Sequence, residues 1–410
     1  MTADRSKALL LDADGSFYNE IYKALIMRVV FEFGHDIDDF INKYFAGQAD
    51  SASAVALTQR IIDFINQIDI SKLRHPETML QEQVFISCVA RLKASKIIAE
   101  DASVSRICAS IRNAYIFALD VLSSSIMDLV FIKANENFIR YLIYDIRNNG
   151  IGNLILLSGS ARQSLRLELI NARKNGTRIF CHDLDMLANY LRSSAIRTPL
   201  NIIVDPILTE DHAAELPIGE SFFRILHSTN AEVDAQHKTT LDTNKGTILW
   251  TVSHHLPVTY SDLFVPGKFS ADFYDNKKDI LKALSAAFRS NSRRVLLSTL
   301  PITLIKYNGI KRKPLGVISG TGRVEKNYPG YFNLMVAMCK ELLGKPDSRK
   351  IDSVHDLDFD LFINLYSSQP TLPKTNLLSY THSIMYPKRQ PESVEQYESE
   401  CERLRMISCT

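Results

Sequence analysis

The segment Lys7-Ala8-Leu9-Leu10-Leu11-Asp12-Ala13-Asp14-Gly15-Ser16 constrains this chain more than any other. An apolar run long enough for one short strand ends in two carboxylates spaced i, i+2, and a glycine turn follows at once. Strands apolar on both faces belong to parallel sheets, and open sheets of that kind gather their ligands beyond the carboxyl ends of the strands. Residues i and i+2 of a strand point the same way, so Asp12 and Asp14 are expected to address one bound group. Two acids there are costly unless a cation or a reacting group lies between them. The segment predicts an active site at the edge of an α/β sheet.

The remaining composition narrows the setting. The 410 residues give room for about two or three domains, or for one core with large insertions. With 46% hydrophobic and 23% charged residues the chain reads as globular. A net charge of +2 favours neither nucleic acid nor a membrane surface on electrostatic grounds. Cys88, Cys108, Cys181, Cys339, Cys401 and Cys409 form no CxxC pair, which points to a reducing compartment and away from a zinc site or a disulfide framework. Asp4, Arg5, Lys7 and Asp12 interrupt the start, so no signal peptide is expected. The greasiest stretch, Ala114 to Ile132, carries Asp120 and Asp128 and falls short of a membrane span. Ile407-Ser408-Cys409-Thr410 is no prenylation box.

After Ser16 the pattern becomes helical. Ile61, Ile62, Phe64, Ile65 and Ile68, and later Val104, Ile107, Ile111 and Ala114, recur at helical spacing. Residues 20–132 therefore read as a helical insertion placed after a first strand (residues 1–19). An α/β pattern then fills 133–327: helix Asn137 to Arg147, strand Asn153 to Ser158, helix Ser164 to Lys174 capped by Gly176, a weak strand Arg178 to Cys181, helix Asp183 to Ser193, and strand Pro199 to Asp205. It continues with helix Gly246 to His255, strand Lys268 to Asp275, helix Lys277 to Arg289, and strands Val295 to Leu297 and Ile302 to Tyr307. Strands separated by helices predict a doubly wound parallel sheet. Residues 328–410 read as a helical extension with an acidic tail.

Four features stand at expected sheet edges. They are Asp12-Ala13-Asp14-Gly15-Ser16, then Ser158-Gly159-Ser160 after an apolar strand, then Lys245 before a helix, then Asp275-Asn276 after another strand with Asp279 behind them. In this order and on this architecture they resemble the four motifs of the haloacid dehalogenase (HAD) superfamily of phosphotransferases. The resemblance implies a HAD-like parallel sheet and a phosphatase working through an aspartyl-phosphate. Asp12 would attack phosphorus, and Asp14 would protonate the leaving oxygen and then deprotonate water. Lys245 and a serine hydroxyl, Ser158 or Ser160, would neutralise the equatorial oxygens, with Gly15, Ser16, Gly159 and Arg162 lining the phosphate subsite. Magnesium would bind Asp12, the Asp14 carbonyl and Asp275, with Asn276 and Asp279 as further acceptors of the fourth motif.

The chain departs from the family pattern at two points, and a third assignment has two candidates. Ser16 stands where threonine is usual and keeps the hydroxyl. Asn276 replaces a common second aspartate, although Asp279 supplies an alternative spacing. Lys238 lies near Lys245 in a similarly polar stretch, and the choice between them stays open. Other clusters read more blandly. His254-His255 has no second pair at ligand spacing, so hydrogen-bonded or surface histidines are expected. Cys181-His182-Asp183 are consecutive and do not converge as a nucleophilic triad must. Ser319-Gly320-Thr321-Gly322 lacks the lysine of a P-loop and reads as a loop.

Several segments also resemble HAD-type effectors that Legionella-related bacteria deliver into host cells by type IV secretion. They are LLLDADGSFYN at 9–19, SGSARQS at 158–164, LPIGESFFRIL at 216–226, ADFYDNKKDIL at 271–281 and ISGTGRVEKNY at 318–328. The tail places five glutamates between Glu392 and Glu402, which is similar to the glutamate-rich export signal of such effectors and equally to an ordinary helix with acids in its first turns. The resemblance implies a phosphorylated host substrate, either a phosphotyrosine protein or a small metabolite, and a host protein or phosphoinositide membrane as partner, without nucleic acid. A helical insertion that covers Asp12 would favour small substrates, and one that points away would serve a partner. The alternative is a HAD-fold interaction protein with impaired catalysis.

Overall fold

The computed structural model describes residues 5–73, 86, 89–90, 93–94, 102–160, 177–194, 200–205, 245–289 and 298–322. In chain order the elements are β1 (Arg5–Leu11), α1 (Glu20–Phe45), α2 (Ser51–Gln67), α3 (Val104–Leu122), α4 (Ser124–Ala134), α5 (Glu136–Asn149), β2 (Ile151–Ser158), α6 (Phe180–Ser193), β3 (Asn201–Val204), α7 (Lys245–Thr259), β4 (Phe269–Asp275), α8 (Lys278–Arg289), β5 (Ile302–Tyr307) and β6 (Arg312–Ile318). The chain divides into two compact units: Met1–Ser16 with Arg140–Glu168 and Leu187–Thr381, and Phe17–Ile139 with Leu169–Met186 and His382–Thr410.

The first unit is a mixed α/β structure compatible with a Rossmann-like fold. Among the described residues its six strands lie in the order β3-β2-β1-β4-β5-β6, parallel throughout except for β6, which runs antiparallel to β5. The centre of the sheet follows from the first apolar run: Ala8, Leu9, Leu10 and Leu11 are all buried, as a strand covered on both faces requires. Before that run Arg5 is exposed and Lys7 is half-buried, its ammonium 2.7 Å from Asp145 on α5 and 2.9 Å from Asp272 on β4. Arg312 of β6 joins this network by donating to the Tyr274 hydroxyl (3.2 Å) and lying 3.7 Å over the Tyr141 ring.

Strands β2, β3, β4 and β5 and helices α5 to α8 lie within a few residues of the expected segments. Strand β6 is an addition to them. Its signal is the Asn308-Gly309 turn, with Gly309 at φ +86°, between two runs that pair as a hairpin. Pro314 has no N–H to give, and an edge strand tolerates that.

The second unit is helical among its described residues. Side chains start the helices: Asn19 accepts from the Tyr22 amide, Asp50 from Ala52 and Ser53, and Ser103 from Arg106. The expected strand Arg178 to Cys181 is a correction. Residues 177–179 are irregular, and α6 begins at Phe180. Tertiary contacts override the β-propensity there. Phe180 is fully buried against Phe17 and Tyr18, and the Arg178 guanidinium pairs with Asp128 (2.8 Å) and Asp183 (3.3 Å). Tyr18 donates to the other oxygen of Asp183 at 2.6 Å.

The helix Ser164 to Lys174, the strand Val295 to Leu297, the helical extension beyond residue 328 and the acidic tail lie outside the described residues. Among the described residues no helix is long and apolar enough to cross a membrane.

Candidate active site

Three strand ends converge in the first unit. β1 stops at Leu11, but the Asp12 amide still donates to the Tyr274 carbonyl of β4 (3.0 Å), and the Gly159 amide donates to the Leu11 carbonyl from the β2 side (2.8 Å). These two bonds carry Asp12 and the Ser158-Gly159-Ser160 segment to one edge of the sheet, the carboxyl edge, together with Asp275 at the end of β4. Gly159 is required for the approach. A Cβ there would stand 2.9 Å from the Phe273 ring and 3.0 Å from the Leu10 carbonyl carbon.

Asp12 is buried. Its Oδ1 is 3.0 Å from the Lys245 ammonium, and its Oδ2 accepts from the Ser16 hydroxyl at 3.2 Å. Lys245, the first residue of α7, also reaches Asp275 Oδ2 at 2.5 Å. The remaining Asp275 oxygen accepts from the Lys277 amide (2.6 Å), an Asx turn that leads into α8. Asp12, Lys245 and Asp275 thus form one buried group assembled from three segments far apart in the chain. Asp275 is the acid of β4 that takes part. Asp272, three residues earlier, faces the opposite side of the strand and serves Lys7 and Arg312.

Charge in this group is unbalanced, and the titration of Asp12 reflects it. Burial pushes the Asp12 carboxyl up to about 7; Lys245 opposes that shift, while Asp275 and Asp14 add to it. For Lys245 burial works against the charge, but Asp12 and Asp275 outweigh it and raise the ammonium above its usual range. One ammonium therefore sits between two carboxylates, with Asp14 acting on Asp12 from the turn.

The other expected site residues fall as follows. Asp14 is half-buried in the turn after β1 rather than on the strand itself. Ser16, Ser158 and Ser160 are buried, and the Ser160 amide donates to the Ser158 hydroxyl at 3.4 Å. Gly15 has φ +77°, and a Cβ on it would be 2.2 Å from Asn276 Nδ2. The Asn276 amide therefore rests on the glycine turn. Asp279 is exposed in the first turn of α8. Arg162 and Lys238 lie outside the described residues.

The donor set fits a hard divalent cation in type. Asp12 and Asp275 offer carboxylate oxygens, and Asn276 Oδ1 is buried without a hydrogen-bond partner. No group of three or more His, Cys, Asp or Glu side chains gathers at metal-binding spacing among the described residues. The amide and backbone oxygens would have to complete the shell.

The histidine pair takes the expected bland form. His255 Nε2 is 3.0 Å from Asp205 Oδ2, and His254 Nδ1 is 3.1 Å from the Thr299 hydroxyl. Asp183 of the Cys181-His182-Asp183 run serves Tyr18 and Arg178. Ser319 to Gly322 is a loop whose Gly320 bridges Ser298. Asp205, at the end of β3, escaped the sequence reading, although it carries the signal that marked Asp12: an acid closing an apolar run. Compared with protein-family models, with curated proteins and with solved structures, the chain matches none.

Proposed function

We propose that the chain is a magnesium-dependent phosphatase of HAD type that works through an aspartyl-phosphate on Asp12. One observation carries the reading: a buried lysine joins Asp12 to Asp275 at the carboxyl edge of the sheet, the edge where open α/β sheets place their ligands. A single ammonium between two carboxylates leaves net negative charge, so a phosphate dianion would enter with a cation that offsets it.

The residues divide the work in two steps. An Asp12 oxygen attacks phosphorus, the bond to the ester oxygen breaks, and the Asp14 carboxyl gives its proton to that leaving oxygen. Asp14, now a carboxylate, takes a proton from the water that attacks the aspartyl-phosphate, which releases inorganic phosphate and restores Asp12. Lys245 and the hydroxyl of Ser158 or Ser160 offset charge on the equatorial oxygens. Ser16 holds the second oxygen of Asp12 and so orients the attacking one. Asp12, Asp275, the Asn276 amide oxygen and the Asp14 carbonyl would hold the cation, which when bound screens the phosphate charge.

Delivery into a host cell by type IV secretion belongs to the same reading and rests on the resemblance of the core segments and of the tail. The second reading is an interaction protein with impaired catalysis. It is favoured by the exposure of Asp279 and by the asparagine at 276. The deciding experiment is hydrolysis of an aryl phosphate with magnesium by the full chain and by Asp12→Asn. The phosphatase reading expects turnover that the substitution abolishes; equal rates in both proteins, or none in either, would leave the interaction protein.

A further inference from the structure

We propose that His255 and His254, near the carboxyl end of α7, are positioning residues that fix the rotation and depth of that helix and so deliver Lys245 to Asp12 and Asp275. The inference rests on the phosphatase reading only for what Lys245 does with a phosphate; the placement of Lys245 stands without it.

Among its described side chains α7 is buried on every side through residues 252–256, and it emerges only at Val258 and Thr259. Lys245, Ile248, Leu249, Val252, Ser253, His254, His255 and Leu256 are each 9% exposed or less. The five consecutive residues 252–256 alone sweep more than a full circle at about 100° per residue. Over that stretch no exposed polar stripe sets the rotation of the helix against solvent. Its apolar side chains tolerate small rotations, whereas hydrogen bonds do not. A rotation of about 30° carries a side-chain tip some 5–6 Å from the axis through about 3 Å. That is enough to take Lys245 away from both carboxylates.

The polar anchors sit at the opposite end from Lys245. His255 Nε2 is 3.0 Å from Asp205 Oδ2, the Tyr260 hydroxyl donates to the same oxygen at 2.8 Å, and the Thr259 hydroxyl is 3.2 Å from His255 Nδ1. Asp205 is itself held, because its amide donates to the Leu156 carbonyl of β2 (2.9 Å). His254, one residue earlier and so about 100° around the helix, is 3.1 Å from the hydroxyl of Thr299, a buried residue ahead of β5. Two directional contacts on different azimuths, made to segments flanking β3 and β5, leave the helix one rotational setting. Lys245 lies ten residues before His255, about 15 Å along the axis. A fixed helix therefore presents it at a fixed depth. Buried polar contacts of this kind select among packings that apolar contacts leave nearly equal.

The test reads Lys245 directly and needs no turnover. The full chain is treated with an amine-acylating ester, and the rate of modification at Lys245 is followed by peptide mass spectrometry in the wild type, His255→Leu, His255→Gln, Asp205→Leu, Thr299→Val and Leu256→Ala. Lys245 is expected to be protected in the wild type and to react at least tenfold faster in His255→Leu and Asp205→Leu, which remove the donor and the acceptor of the same contact. His255→Gln keeps an amide donor for Asp205 and should restore most of the protection. Leu256→Ala loosens the same helix by removing apolar contact and should leave Lys245 protected while lowering the melting temperature. Unchanged protection in His255→Leu and Asp205→Leu, or equal exposure in Leu256→Ala, overturns the proposal. If neither His255→Leu nor Asp205→Leu folds, Thr299→Val decides it, since it keeps the shape of threonine and removes the hydroxyl that meets His254: faster labelling supports the proposal and unchanged protection overturns it. Absence of phosphatase activity in the wild type would defeat the phosphatase reading and leave the labelling result intact.

Discussion

Replacing Lys245 by methionine removes the one cation that Asp12 and Asp275 share. The ammonium is 1% exposed, 3.0 Å from the first carboxylate and 2.5 Å from the second. At an effective dielectric of about 20, each contact is worth roughly 5–7 kcal/mol of gross attraction. Desolvating the ammonium costs several kcal/mol and offsets much of this. Methionine keeps the bulk and loses the charge, so two buried carboxylates are left facing each other. The net expected loss of stability at pH 7.5 is about 3–5 kcal/mol. Urea unfolding followed by tryptophan fluorescence suits the measurement, because the single tryptophan of the chain, Trp250, lies on the same helix as Lys245. Adding Asp12→Asn should restore part of the loss, with a coupling of about 1–3 kcal/mol in the double-mutant cycle. A loss below about 1 kcal/mol, or strict additivity with Asp12→Asn, would refute the idea that this lysine neutralises a buried pair.

Gly15→Ala should cost stability for two reasons at once: an alanine at φ +77° is strained by about 1–2 kcal/mol, and its Cβ would meet Asn276 Nδ2 at 2.2 Å; urea midpoints check this, and a neutral substitution contradicts it. In the second unit, burial pushes Asp183 up to about 7 against the opposing pull of Arg178. Its folded value lies above that of an unfolded aspartate, about 3.9, so its favourable contribution is full below about pH 4 and is lost as pH rises toward 7. Stability measured by circular dichroism should fall over that window by up to about 1.4 kcal/mol per pH unit, and Asp183→Asn should flatten the slope; an unchanged slope would show that Asp183 does not hold its proton on folding. Gly159→Ala should lower both stability and aryl phosphate turnover, because the Cβ has only 2.9 Å to the Phe273 ring; turnover equal to wild type would show that the β2 loop need not approach β1 so closely.

What was legible in the sequence follows hydrophobic patterning. The run Ala8 to Leu11 announced a central strand, and the acids after it announced the edge, because an apolar strand with both faces buried has little other use for carboxylates. Alternation within β4 likewise separates Asp275 from Asp272, once the strand is placed. Lys245 was harder to single out. A lysine in a polar stretch carries no periodic signal, and only its contacts with Asp12 and Asp275 distinguish it. Arg178 shows the converse. Its neighbours Ile179, Phe180 and Cys181 favour a strand locally, yet three acids around one guanidinium and a fully buried Phe180 impose a helix start instead. β6 was hidden by its polar, proline-bearing sequence, the composition that protects an exposed edge.

In the proposed mechanism Asp12 accepts the phosphoryl group. Single-turnover reaction of the full chain with a radiolabelled aryl phosphate and magnesium, quenched in acid and mapped by peptide digestion, tests it most directly. The account expects an alkali-labile phosphate on the peptide that contains Asp12, absent from Asp12→Asn. Turnover without that label, or the same label in Asp12→Asn, would contradict it.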